Sequence, residues 1–221
     1  ASKGLGKAMA LAFAEAGANL ILSGRDAADL DQTKAQAEAF GAECLSVVGD
    51  VRDQSVFESL VTTARAKQLA VFVNNAGIVT IEPLQQTTLE QIDAMIAVNL
   101  TVPIKLTRAL LPILEAAESG TIINVNSQGG QKPVLHHTIY CATKYGLNGF
   151  AEALRLEVKD RGIRILNVSP GKMATDLFRA AGKDWDTTTF IPPEEVAQAT
   201  VALVRMSARC CPSEFGIERM P

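Results

Sequence analysis

Short, continuous apolar runs alternate with longer amphipathic stretches along most of the chain. The runs at 19–23 (NLILS), 44–48 (CLSVV), 69–73 (LAVFV), 121–125 (TIINV) and 163–168 (IRILNV) are rich in Val, Ile and Leu and read as strands. A weaker run at 215–218 (FGIE) reads the same way. Between them lie helical patterns: an Ala-rich stretch straight after Gly4 and Gly6, then 26–40, stopped by Gly41, and 54–67, with Val56, Leu60 and Val61 on its apolar face. Three more follow at 89–115, punctuated by Pro103 and Pro112, at 138–160, and at 193–208, opened by Pro193, Glu194 and Glu195.

Strands without in–out alternation are buried on both faces, and strand–helix alternation with right-handed crossovers builds a parallel sheet. The expected architecture is α/β, a doubly wound parallel sheet of Rossmann type in three α/β/α layers, with residues 1–221 forming one unit. Ligands of such sheets bind beyond the carboxyl ends of the strands. Gly24-Arg25, Asp50, Asn75, Ser127 and Pro170-Gly171 all fall at such ends. One element is missing from the pattern. A dinucleotide-binding βαβ unit needs a strand before its glycine turn, and here the turn opens the chain as ASKGLGK. The first strand is therefore expected to be absent from the given chain, and any targeting segment ahead of it is out of view.

Composition narrows the classes. Of 221 residues, 48% are hydrophobic and 20% charged, and the net charge is −3, so no basic field points to nucleic acid. No apolar run reaches the roughly 18 residues of a membrane span. The four cysteines, Cys44, Cys141, Cys210 and Cys211, form no CxxC motif and read as reduced thiols, which suits a cytoplasmic protein. His136 and His137 are adjacent, so their side chains do not converge on a metal; lining the mouth of a site remains open to them.

Tyr140 and Lys144 are four apart and project from one face of the helix at 138–160. A phenol titrates near 10 and is a poor acid or base at neutral pH; a nearby ammonium favours its ionised form and tunes it toward proton transfer. Ser127 ends a strand thirteen residues earlier, where it can face a carbonyl oxygen or simply serve as a turn serine. Asn99 is an unfavourable residue inside a helix, and it either has a task there or faces solvent.

Taken together, Gly4-x-Gly6, Asn74-Asn75-Ala76-Gly77, Asn99, Ser127, Tyr140-x-x-x-Lys144 and Pro170-Gly171 resemble the short-chain dehydrogenase/reductase family in order and spacing. The resemblance implies an oxidoreductase that moves a hydride between a nicotinamide cofactor and a small carbonyl or secondary alcohol. It implies that Tyr140 exchanges the proton with the substrate oxygen and that Ser127 holds that oxygen. Lys144 would hydrogen-bond the nicotinamide ribose and depress the Tyr140 pKa, and Asn99 would hold a water that links Lys144 to solvent. The dinucleotide would rest on Ser2, Lys3, Gly4, Leu5 and Gly6, with Asp50 and Val51 at the adenine. Asn75, Ala76 and Gly77 would line its ribose, and Pro170, Gly171 and Thr175 the nicotinamide. Asp50 is also placed to cap a helix, although Asp53 is equally placed for that.

NAD users of this fold carry an acid after the second strand, on the ribose 2′-hydroxyl. Gly24-Arg25 stands there, with Lys3 as a second nearby cation, so NADP(H) is expected rather than NAD(H). The segment at about 172–192, with Phe178, Trp185 and Phe190, is expected to cover the substrate. The helices at 89–115 and 138–160 are expected to form a homodimer or homotetramer, with Leu147, Phe150, Ala151 and Leu154 as apolar positions on the second, some of which must face the sheet instead. The C-terminal CCPSEFGIERMP lacks a glycine pair common among relatives, which puts the last strand in question. Two other classes fit the scaffold: a non-catalytic dinucleotide-binding redox sensor, which has no need of the proton path, and a lyase or epimerase.

Overall fold

The computed structural model describes residues 1–117, 119–207 and 209–220. Gly4–Glu15 forms α1, followed by β1 (Leu20–Gly24), α2 (Ala27–Glu38), β2 (Cys44–Val48), α3 (Gln54–Ala66) and β3 (Val71–Asn74). Then come α4 (Leu89–Ile96), a π-turn (Ala97–Thr101), α5 (Val102–Glu115) and β4 (Thr121–Val125). The chain ends with α6 (Thr138–Val158), β5 (Arg164–Pro170), the short α7 (Leu177–Ala180), α8 (Pro193–Val204) and β6 (Glu214–Ile217). The last helix ends four residues short of the expected 208; Ala208 itself, and Pro221 of the C-terminal segment, lie outside the described residues. The expected final strand forms despite the missing glycine pair.

Local chemistry starts the helices where the pattern placed them. Asp26 caps α2 by accepting from the Asp29 amide at 2.9 Å. Thr88 and Gln91 form a reciprocal capping box that opens α4, at 3.2 and 2.8 Å. Pro103 stands in the first turn of α5, directly after the π-turn, and the helical path runs from 89 to 115 through it.

All strand pairs are parallel, in two pieces: β1 beside β2, and β3-β4-β5-β6 in that order. The facing edges of β1 and β3 pair with nothing between them among the described residues. They border one cleft lined by Leu20, Leu22, Val71 and Val73. Alternate strand residues serve opposite layers. Ile123, Val125, Leu166 and Val168 pack on Leu5 and Met9 of α1 and Val196 of α8. Ile122 and Ile165 pack on Leu110 and Leu114 of α5 and on Leu154 and Val158 of α6. Truncating a fully buried residue here, such as Leu114, costs about 2–5 kcal/mol.

The helix Leu89–Glu115 is long and apolar enough to cross a membrane by length and composition. Its apolar stripe of Leu106, Leu110 and Leu114 is instead buried against the sheet. On α6, Leu147, Ala151 and Leu154 are buried in the same way, so three of the four residues expected to offer apolar surface pack internally. Tyr145 and Leu156 are the apolar side chains that face outward from that helix.

Candidate active site

The carboxyl ends of the strands open into a crevice that continues down the cleft between the two sheet pieces, a cavity of about 1450 Å³ in all. At its base the first turn of α1 carries two glycines that the geometry requires. Gly4 has φ +52°, in the left-handed region, and a Cβ on Gly6 would sit 2.5 Å from Asn75 Nδ2. Ser2, Lys3, Leu5, Arg25, Asp50, Val51, Asn75, Ala76, Gly77 and Thr175 all line this crevice, as do Tyr140 and Lys144. Thr175 packs over Gly4, which brings the segment after β5 to the N-terminal end of α1. Pro170 ends β5 and is buried, and Gly171 faces the Gln128 side chain.

The charged groups at the crevice mouth sort themselves by pairing. Asp50 is held by Arg52 through three bonds of 2.9, 3.0 and 2.8 Å, and this pairing pulls its carboxyl down to about 2. Asp53, not Asp50, occupies the N-cap position of α3, and its side chain makes no capping bond there. Lys3 pairs with Asp29 at 2.8 Å. Arg25 is exposed and has no hydrogen bond or ion pair from its side chain among the described residues.

On the catalytic side, Tyr140 and Lys144 are both buried, on one face of α6. Burial pushes the Tyr140 phenol above its usual range, while the hydroxyl of Ser127, beside it, works in the opposite direction. Ser127 Oγ accepts from the Gly129 amide at 3.0 Å, which leaves its own hydrogen to give. Lys144 Nζ donates to the Val125 carbonyl at 2.9 Å and lies 5.7 Å from the Tyr140 ring centre. Desolvation lowers its pKa to about 8. His137 meets the Tyr140 ring edge-on at 6.1 Å, and no group of three metal-ligating side chains exists among the described residues.

Asn99 does not face solvent. It is fully buried in the π-turn, and its Oδ1 accepts from the Ile78 amide at 2.9 Å. Its amide hydrogens go to the Ile78 carbonyl at 2.8 Å and to Thr143 Oγ1 at 3.2 Å. Thr143 in turn bonds the Tyr140 carbonyl at 2.7 Å. One side chain thus ties the Gly77–Ile78 turn to the helix that bears Tyr140. A π-turn within an α-helix often marks such a functional position.

Residues 172–192 line two cavities, with Thr175, Asp176 and Arg179 shared between them. Met173, Thr175, Asp176, Leu177, Arg179 and Ala180 border the main crevice. Phe178 and Trp185 stack at 4.9 Å and line a separate cavity of about 430 Å³ against α1 and α8, with Lys172 Nζ 4.6 Å over the Trp185 ring. The segment is pinned by a strand-like bridge between Met173 and Ile191.

Thr143, Ile78 and the Gly129-Gly130 pair were missed at the level of sequence. A Cβ on Gly129 would meet Tyr140 Cε1 at 3.2 Å. A glycine pair two residues after a candidate active-site serine was the available signal.

A parallel sheet with a glycine turn at one end of its crevice and a Ser–Tyr–Lys group at the other, its Tyr and Lys buried, defines a nucleotide-dependent oxidoreductase scaffold. The family model described as "short chain dehydrogenase" matches residues 1–186. A sepiapterin reductase of Chlorobaculum tepidum is 31% identical over 216 residues, covering 94% of this chain and 88% of that protein. A metagenomic short-chain oxidoreductase solved in complex with NADP superposes with a TM-score of 0.85 at 30% identity, covering 100% of this chain and 94% of that one. A short-chain dehydrogenase from Sphingobium yanoikuyae, in complex with NADPH, gives 0.89 at 26% identity, covering 97% and 84%. The chain belongs to the short-chain dehydrogenase/reductase family, oxidoreductases that act on CH–OH and C=O groups.

Proposed function

We propose that this protein is an NADP(H)-dependent carbonyl reductase or alcohol dehydrogenase in which Tyr140 is the general acid/base. The observation that carries the reading is the buried Tyr140–Lys144 face of α6, set beside Ser127 at the carboxyl end of β4.

The residues fit a dinucleotide. The approach at Gly6 is so close that any side chain would fill the cradle, and the amides of the first turn of α1 can receive a pyrophosphate. Arg25 is the unpaired cation where a 2′-phosphate would lie, and the two solved relatives described above hold NADP and NADPH. When bound, the cofactor supplies the hydride. Every other task falls to side chains. Asp50 and Val51 border the adenine end, and Asn75, Ala76 and Gly77 the ribose. Pro170, Gly171 and Thr175 enclose the nicotinamide end, and residues 172–192 cover the substrate.

Reduction builds negative charge on the substrate oxygen. The hydroxyls of Ser127 and Tyr140 are donors already in place there, and preplaced donors in a dry site lower the barrier. A phenol raised by burial stays protonated at neutral pH, which suits the acid role. The Lys144 ammonium, still largely charged at pH 7, favours the phenolate that forms. The Asn99 amide hydrogens are already spent, so a proton relay through this residue runs by way of its oxygens.

The test is a panel of ketones and aldehydes with NADPH, for wild type and Tyr140→Phe. Loss of a general acid costs about 10²–10⁴ in rate, with cofactor binding retained. A Tyr140→Phe rate within about threefold of wild type refutes the assignment.

A further inference from the structure

A chain of buried side-chain amides crosses the sheet behind the active site. Asn74, Asn124 and Asn167 stand in register on β3, β4 and β5. Asn74 donates to Asn124 at 2.9 Å and to Thr107 of α5 at 3.3 Å, and Asn124 donates to Asn167 at 3.1 Å. Asn167 donates to Asn148 Oδ1 at 3.0 Å, where the amide of Asn126 also arrives. Asn148 then returns its own amide hydrogen to the Gly130 carbonyl at 2.8 Å.

The end of that chain matters most. Asn126 immediately precedes Ser127, and Gly130 closes the 3₁₀ turn that follows it. The single side chain of Asn148 therefore holds both ends of the loop that carries Ser127. Asn148 is also one turn beyond Lys144 and two beyond Tyr140, on the same stripe of α6. The loop lies flat against that stripe: a Cβ on Gly130 would sit 2.8 Å from Asn126 Oδ1 and 2.9 Å from the Lys144 carbonyl. Without Asn148, the Gly130 carbonyl and two buried amides lose a partner, and both ends of the loop lose their side-chain bond to α6.

We propose that Asn148 is a positioning residue for the reaction: its amide clamps the Asn126–Gly130 loop and so sets Ser127 against Tyr140. The proposal rests on the reductase reading for its catalytic consequence, but the clamp itself can be read without turnover. Asn148→Leu removes the whole clamp. Asn148→Asp keeps the acceptor for Asn126 and Asn167 but loses the donor to Gly130, and it decides the matter if the leucine variant does not fold. Thr107→Val is the control, since it trims the far end of the same amide chain and touches nothing near Ser127.

Two measurements are made on the full chain. Amide hydrogen exchange at Gly129 and Gly130 should speed up by roughly tenfold or more in the Asn148 variants and stay unchanged in Thr107→Val. With a ketone accepted by wild type, kcat should fall by roughly 10- to 100-fold, the effect of small misplacements in a reacting group. KM and the NADPH dissociation constant should stay within about threefold. Unchanged exchange in the Asn148 variants overturns the clamp. An equal fall of kcat in Thr107→Val, or losses confined to KM, overturns the positioning role. If wild type reduces no carbonyl, the reductase reading falls, and the exchange measurement alone decides the clamp.

Discussion

Arg25→Ala removes the one cation at the crevice mouth that makes no ion pair or side-chain hydrogen bond among the described residues. Lys3 is drawn to Asp29 at 2.8 Å, and Arg52 is held by Asp50, so neither is available without breaking an existing pair. Charge-assisted hydrogen bonds contribute about 1.5–3 kcal/mol. Arg25 is exposed and its contact is screened by solvent and salt, which places the expectation in the lower half of that range. At 1.4 kcal/mol per factor of ten, NADPH binding should weaken by about 10- to 40-fold. NADH carries no 2′-phosphate, and its affinity should stay within about twofold. The assay is fluorescence titration of both cofactors at low and physiological salt, followed by kcat/KM with an accepted ketone. Lys3→Ala, which breaks an existing pair, should have the smaller effect. Placing an acid at Gly24 is a poorer test, because a Cβ there already sits 3.2 Å from Ser2 Oγ and 3.3 Å from Leu30 Cδ1. If Arg25→Ala weakens both cofactors alike, or if wild type prefers NADH, Arg25 is only a surface cation and the NADP(H) assignment fails.

Gly6→Ala should lower dinucleotide affinity by at least about tenfold, because its Cβ would drive into Asn75 at 2.5 Å; wild-type binding would show that the cradle lies elsewhere. Lys144 titrates near 8 when folded and near 10.4 when unfolded, so between about pH 8 and 10 the unfolded chain holds the extra proton and stability rises with pH. Across that window wild type should gain roughly 2–3 kcal/mol relative to Lys144→Met in urea unfolding, and a constant difference between the two refutes the buried, desolvated ammonium. Leu89, Ile96, Tyr145 and Leu156 leave apolar surface on α4 and α6, and a dimer or tetramer is expected by light scattering, with Leu156→Glu shifting it toward monomer. A wild-type monomer at micromolar concentration refutes that.

Much of the fold was legible because its signals are local. The glycine turn, the apolar strand runs, the cap at Asp26 and the Thr88–Gln91 box each act within a few residues, and all six strands fall within two residues of their expected bounds. The Tyr140–Lys144 pair was readable because a helix fixes what residues four apart must share. Ser127 could be placed beside them because a strand end in a parallel sheet has only one crevice to face.

What sequence could not supply is pairing across long separations. Even a local choice can be closed to it: nothing in the pattern says that Arg52 takes Asp50 rather than the adjacent Asp53, or that Arg25 makes no pair with the adjacent Asp26. The buried place of Asn99 follows from a π-turn that no periodicity announces, and from Ile78, 21 residues away. Leu147, Ala151 and Leu154 read as surface or core with equal ease until α5 and the sheet settle which face of α6 is covered. Local pattern alone was enough for the layered parallel sheet and for the residue types gathered at the carboxyl ends of its strands. Which of those residues are paired, buried or free follows from the packing, because desolvation and hydrogen-bond partnership belong to the packed chain and not to any segment of it.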